Sequence, residues 1–115
     1  MSTMVKADKK NGQLITWNHP GGKLQRMGSE SLTEVEIIAI LLGSGIPGRS
    51  AEEIAGDIMK KFNSFRGIAG QPLEAYLTIK GVDRKKAVKI MAAFEMAKRI
   101  SNEVLKDYEY NRQSV

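Results

Sequence analysis

A chain of 115 residues, 42% of them hydrophobic, is long enough to bury one core and too short for a two-domain enzyme. It has no cysteine and a single histidine, His19, which excludes disulfides, thiolate zinc sites and the usual nitrogen-rich transition-metal clusters. No apolar run approaches the roughly 18 residues of a membrane span, and "MSTMVKADKK" lacks the apolar core of a signal peptide, so a soluble cytoplasmic protein without cofactors is expected. The net charge of +5 is unevenly spread, at +3 over residues 1–30, −2 over 31–79 and +4 over 80–115. Between residues 80 and 89, Lys80, Arg84, Lys85, Lys86 and Lys89 stand against Asp83 alone. That clustering suits a polyanion as well as a solvated helix face.

In chain order, the first 30 residues are irregular: "GQLITW" suits a short extended arm, and "NHPGGK" reads as a loop. In "SLTEVEIIAILLG", Thr33 and Glu36 form a capping box, and Val35, Ile38, Leu41 and Leu42 recur at helical spacing until Gly43. Ser50 and Glu53 open a second helix with Ile54, Ile58, Met59 and Phe62 on its apolar side, and Asn63 suits its left-handed end. "SFRGIAG" is at most one or two turns, and "QPLEAYLTIKG" is a short helix that starts around Pro72 and stops at Gly81. Asp83 begins the longest helix, expected to reach about Lys106, with Ala87, Ile90, Met91, Phe94, Ala97, Ser101, Leu105 and Tyr108 on one stripe. Lys85 and Lys89 lie opposite that stripe, as do Met96 and Ile100, and the last two call for a cover such as a second copy of the chain. The tail after Tyr108 is expected to fray.

About five helices joined by glycine-bearing turns make an all-α domain. "EIIAILLGSGIPGRSAEEIAGDIM" and "LEAYLTIKGVDRKKAVKIMAAF" each read as helix, tight glycine turn, helix, the layout of a tandem helix-hairpin-helix of the RuvA domain 2 type. In such a turn the loop amides and the first free N–H groups of the second helix point outward together, backed by the positive end of the helix dipole, and suit one phosphate. Glycine lets the backbone approach a strand closely. Contacts of this kind position a protein on the backbone and read few bases.

The run from "MGSESLTEVEIIAILLGSG" through "IKGVDRKKAVKIMAAFEMAKRI" resembles the N-terminal domain of the RadC family of bacterial proteins, in which a helix-hairpin-helix module precedes a metalloprotease-like domain. The likeness covers about residues 20–105, and its most specific parts are "LLGSG" at 41–45, "FNSFRGI" at 62–68 and "IKGV" at 79–82. It implies a setting in DNA repair and no catalysis in this chain, which ends before the second domain, with its histidine-bearing zinc motif, would begin. "WNHPGG" at 17–22 looks like a fragment of that motif but lacks its second histidine, so His19 is not expected to bind metal. Hairpins of this type usually read glycine, apolar, glycine at the turn, whereas here Gly81, Val82 and Asp83 stand. As the N-cap, Asp83 takes the amide of Lys85 or Lys86 and repels a phosphate, leaving Lys80, Lys85 and Lys89 to compensate. The first turn keeps Gly43, Ser44 and Gly45 and adds "IPGR", which makes Arg49 its natural phosphate partner.

"GSGIPG" also has the letters of a dinucleotide-binding fingerprint, but the segment before it carries a helix capping box and no strand follows the next helix. Glu34, Glu36, Glu52 and Glu53 are first-turn acids favoured by helix dipoles rather than a catalytic pair. Trp17 and Tyr76 are the rings available for stacking on bases, although a lone aromatic is more often packed. The expectation is therefore an N-terminal arm over 1–22, a tandem helix-hairpin-helix domain over 23–107 and a frayed tail over 108–115. Its function is non-catalytic, sequence-independent DNA binding through Gly43, Ser44, Gly45, Gly48, Arg49, Lys80, Gly81, Val82, Arg84, Lys85, Lys86 and Lys89. The alternative is an interaction or dimerisation module of the same fold, using Met96 and Ile100.

Overall fold

The computed structural model describes residues 5–8, 13–16 and 19–113. Val5–Asp8 (β1) and Gln13–Thr16 (β2) pair antiparallel, with Val5 opposite Thr16 and Asp8 opposite Gln13, so the extended arm is one strand of a hairpin. Trp17 lies outside the described residues.

The chain turns helical at Pro20–Met27 (α1), where the residue pattern predicts a loop. His19 is the reason: its ring Nδ1 accepts the Gly21 N–H at 3.2 Å, and Pro20 sits at the first helical position, where no amide hydrogen is needed. A 3-10 turn at Ser29–Ser31 leads to Glu34–Leu42 (α2) and then Ala51–Phe62 (α3). Both capping boxes form as expected. The Glu36 N–H donates to Thr33 Oγ1 at 3.2 Å while Glu36 Oε1 accepts the Thr33 N–H at 2.9 Å, and the Ser50–Glu53 pair repeats this at 3.1 and 2.8 Å. Gly43 ends α2 with φ 83° and Asn63 ends α3 with φ 77°, left-handed conformations that only glycine and, more weakly, asparagine adopt cheaply. Lys23 of α1 donates to Glu36 at 3.0 Å and ties the first helix to the second.

Ser64 caps the single turn Phe65–Ile68 (α4); Leu73–Leu77 (α5) follows, with Pro72 as its N-cap rather than its first helical residue. Arg84–Gln113 (α6) closes the chain with 30 helical residues, about 45 Å at 1.5 Å per residue. The all-α class holds, with six α-helices among the described residues where about five are expected, α1 being the addition.

One core joins the helices: Ile38 and Leu42 of α2, Ile54 and Ile58 of α3, Ile68, Tyr76, and Ala87 and Ile90 of α6, closed by Ile79 and Val82 between α5 and α6. Each fully buried branched side chain contributes about 1.5–3 kcal/mol. Tyr76 is part of this core, 1% exposed, with its hydroxyl donating to the Ile68 carbonyl at 2.7 Å. Burial raises its pKa, and its ring offers no face to a base.

The apolar stripe of α6 is covered only in its first third. Ala87 and Ile90 are buried, and Phe94 meets Phe65 edge-on at 5.6 Å between ring centres. Beyond them, Leu105 and Tyr108 are exposed, as are Met96, Ile100 and Val104. Their exposure does not end the helix, which runs past the predicted stop near Lys106 and through the predicted frayed tail as far as Gln113. Residues 114 and 115 lie outside the described residues. The helices thus run from Pro20 to Gln113.

Candidate nucleic-acid interface

The first helix–turn–helix unit joins α2 to α3 through residues 43–50. Ile46 and Arg49 exchange both backbone hydrogen bonds at 3.0 Å and close a tight loop around Pro47 and Gly48, whose φ is 83°. Gly45 is required by packing: a Cβ there would lie 2.1 Å from the Arg49 carbonyl oxygen and 2.8 Å from Ser50 C. Gly43, Ser44 and Gly48 are exposed, while Gly45 is half-buried. Arg49, predicted as the phosphate partner, does not project freely: its Nη2 pairs with Asp57 of α3, and its Nε is buried without a partner.

The second unit joins α5 to α6 through residues 78–83. Ile79 and Val82 point into the core, and the Val82 N–H donates to the Ile79 carbonyl at 3.0 Å. Val82 therefore has neither side chain nor amide to offer a ligand. Gly81, at φ 98°, packs against the first unit: a Cβ there would stand 2.5 Å from Ile54 Cδ1 and 3.7 Å from Ile46 Cδ1. The two glycine turns are thus neighbours in space, although more than thirty positions separate them in the chain.

Asp83 caps α6 as expected, and the amide it takes is that of Lys86, at 2.9 Å. That hydrogen bond, aided by the charges of Lys86 and Lys85, holds the Asp83 carboxyl below the usual range. Lys80, Arg84, Lys85 and Lys89 are exposed around this turn, and Lys86 is half-buried. Glu36 is also lowered, first by the Thr33 amide and then by Lys23. These acids serve helix starts.

Lys60 and Lys61, at the end of α3, are absent from the predicted set. With Asp57, Thr78, Ile79 and Lys80 they line a cleft of about 320 Å³, and Lys61 Nζ donates to Thr78 Oγ1. Nothing in the local sequence joins "MKKF" to "TIKG"; packing of the second turn on α3 does. His19 is engaged as a helix cap, and among the described residues no group of three or more His, Asp or Glu side chains is placed to hold a metal ion. The glycine pattern "GSGIPG" follows a helix, not the strand that dinucleotide binding needs. No helix among the described residues is long and apolar enough to cross a membrane.

Comparison with known proteins identifies the family. A family model described as UPF0758 N-terminal matches residues 13–88. A UPF0758 protein of Clostridium kluyveri is 37% identical over 83 residues, covering 72% of this chain and 36% of that protein. The match to a UPF0758 protein of Carboxydothermus hydrogenoformans is 39% over 80 residues, 70% of this chain and 35% of the relative. A third, from Staphylococcus epidermidis, is 37% identical over 83 residues, 72% and 37% of the two chains. The chain therefore spans about a third of the length of the curated relatives it matches. No solved structure matches it.

Proposed function

Because the chain belongs to the UPF0758 family, the RadC family that its glycine turns resemble, we propose that it is a non-catalytic module that grips the phosphate backbone of DNA without reading its bases. The observation that carries this reading is the adjacency of the two turns, with Gly81 set against Ile46 and Ile54. Two linked weak contacts hold a ligand more tightly than either alone when both can engage at once. Exposed Lys80, Arg84, Lys85 and Lys89 supply the positive potential around the second turn. Since Asp83 takes the Lys86 amide, contact there runs through side-chain cations rather than through that N–H. At the first turn, the exposed backbone of Gly43, Ser44 and Gly48 is the contact surface, and Arg49 joins it when a phosphate displaces Asp57. The family resemblance suggests DNA repair as the setting.

Titrating labelled duplex DNA at about 50 and about 200 mM salt tests this. A dissociation constant on the order of 10⁻⁴ to 10⁻⁶ M is expected, with log affinity falling against log salt at a slope near −3.6 if about four phosphates are contacted. No binding at low salt, or a flat salt response, overturns the reading.

A second reading has its own observation: Met96, Ile100 and Val104 recur every four residues along α6 and are 62%, 56% and 61% exposed. On this reading the stripe pairs with that of a second copy. Sedimentation is then expected to show a dimer that Ile100→Glu dissociates with helicity intact, whereas a monomer at high micromolar concentration removes this reading.

A further inference from the structure

We propose that the cleft between the last turn of α3 and the turn before α6 seats one phosphate of a nucleic-acid strand, held by Lys60, Lys61 and Lys80. The proposal rests on the DNA-binding reading and adds Lys60 and Lys61 of α3, which lie outside both glycine turns, to a contact shared with Lys80.

Charge is the first reason. Three lysines line one shallow cleft, and the carboxylate among the lining residues, that of Asp57, already accepts from Arg49. Lys61 donates to Thr78 Oγ1, a neutral acceptor whose own proton goes to the Ala75 carbonyl at 2.7 Å. Among the described residues no carboxylate forms an ion pair with Lys60, Lys61 or Lys80, and like charges gathered around one space repel until an anion enters.

Placement is the second reason. Lys60 and Lys61 have an ordinary role at the end of α3, where cations suit the negative end of a helix. Lys80 has no such role, because it stands on the second turn and reaches the cleft only through the tertiary fold. Ile79, 7% exposed, gives the cleft an apolar floor, which strengthens an ion pair formed above it.

Continuity with the proposed interface is the third. Gly81 packs on Ile54 and Thr78 bonds to Lys61, so the second turn lies along α3 from one of these residues to the other. Seven residues of helix span about 10 Å, the axial length of about three nucleotides of one strand at 3.4 Å each. A strand that is held beside Gly81 and follows α3 brings a phosphate about three nucleotides along to the cleft.

The test compares the full chain with Lys60→Ala/Lys80→Ala and with Lys85→Ala/Lys89→Ala, titrating labelled duplex DNA across salt and recording thermal melting of each. All four side chains are exposed, so unchanged melting is expected. The cleft variant is expected to bind more weakly at low salt, with a slope shallower by about 0.9, the share of one phosphate. Full affinity and slope in the cleft variant, with loss in the Lys85/Lys89 variant, overturns the cleft while DNA binding stands. Failure of the unmodified chain to bind at low salt overturns both. Lys80→Glu against Lys80→Gln guards against a packing effect: the glutamate must weaken binding more, and equal losses overturn the electrostatic role.

Discussion

The two glycine turns are built on one plan and held by different physics. The first is closed from within, by the paired bonds of Ile46 and Arg49, by backbone packed against Gly45, and by the Arg49–Asp57 ion pair. The second is held from outside: Ile79 and Val82 anchor it in the core, Gly81 rests on Ile54, and Asp83 caps the helix that follows. A turn closed from within keeps its shape without neighbours, and its polar groups bond to one another. A turn held by neighbours has its inward groups committed and its outward ones, Lys80, Arg84 and Lys85, left to solvent or a ligand.

The largest expected effect breaks the first turn. Gly45→Ala forces a Cβ to 2.1 Å from a backbone oxygen that cannot rotate away, so a loss of roughly 3 kcal/mol or more is expected in denaturant unfolding. Gly48→Ala meets open space and carries only the left-handed backbone cost, about 1–2 kcal/mol. Equal losses at the two positions would show that conformation, not packing, decides this turn.

Gly81→Ala sharpens the contrast, because the atom in the way is the end of a side chain, Ile54 Cδ1 at 2.5 Å. A loss of about 2–3 kcal/mol is expected, from the positive φ together with overpacking. Ile54→Val deletes that methyl, and in the double-mutant cycle it is expected to recover about 0.5–1 kcal/mol of the loss. Strict additivity would mean that the turn is not seated on α3 as described.

Smaller effects concern the acids that hold each turn. Asp57→Asn frees Arg49 and Asp83→Gly removes a repelling carboxylate while releasing the Lys86 amide, so both are expected to tighten DNA binding with little change in melting temperature. If Asp83→Gly lowers the melting temperature and leaves affinity unchanged, the second turn is a helix cap only. The smallest effect is in acid. Asp83 and Glu36 both have folded-state pKa values below their unfolded ones, so the unfolded chain takes up protons first and stability falls as pH drops below about 4. Asp83→Asn with Glu36→Gln is expected to flatten that part of a melting-temperature profile.

Both capping boxes, the left-handed ends at Gly43 and Asn63 and the Asp83 cap are legible in the sequence because each is a local device, complete within a few residues. The first helix was hidden for a local reason: histidine is an uncommon N-cap, and Gly21 and Gly22 in the first turn argue against a helix. The far half of α6 misleads in the opposite way, since a stripe through Leu105 and Tyr108 reads as buried although nothing among the described residues covers it. Periodicity shows which residues share a face and is silent about what that face meets.

At the candidate site the division is sharpest. The sequence by itself determined the all-α class, the two glycine-turn units and the cationic run after Gly81, since propensity, capping and charge act between near neighbours. Only the tertiary structure decided that Arg49 is tied to Asp57, that Val82 and Tyr76 are interior, that the two turns adjoin through Gly81 and Ile46, and that Lys60 and Lys61 meet Lys80. Each of these is a meeting of residues distant in the chain, set by how helices pack around a shared core.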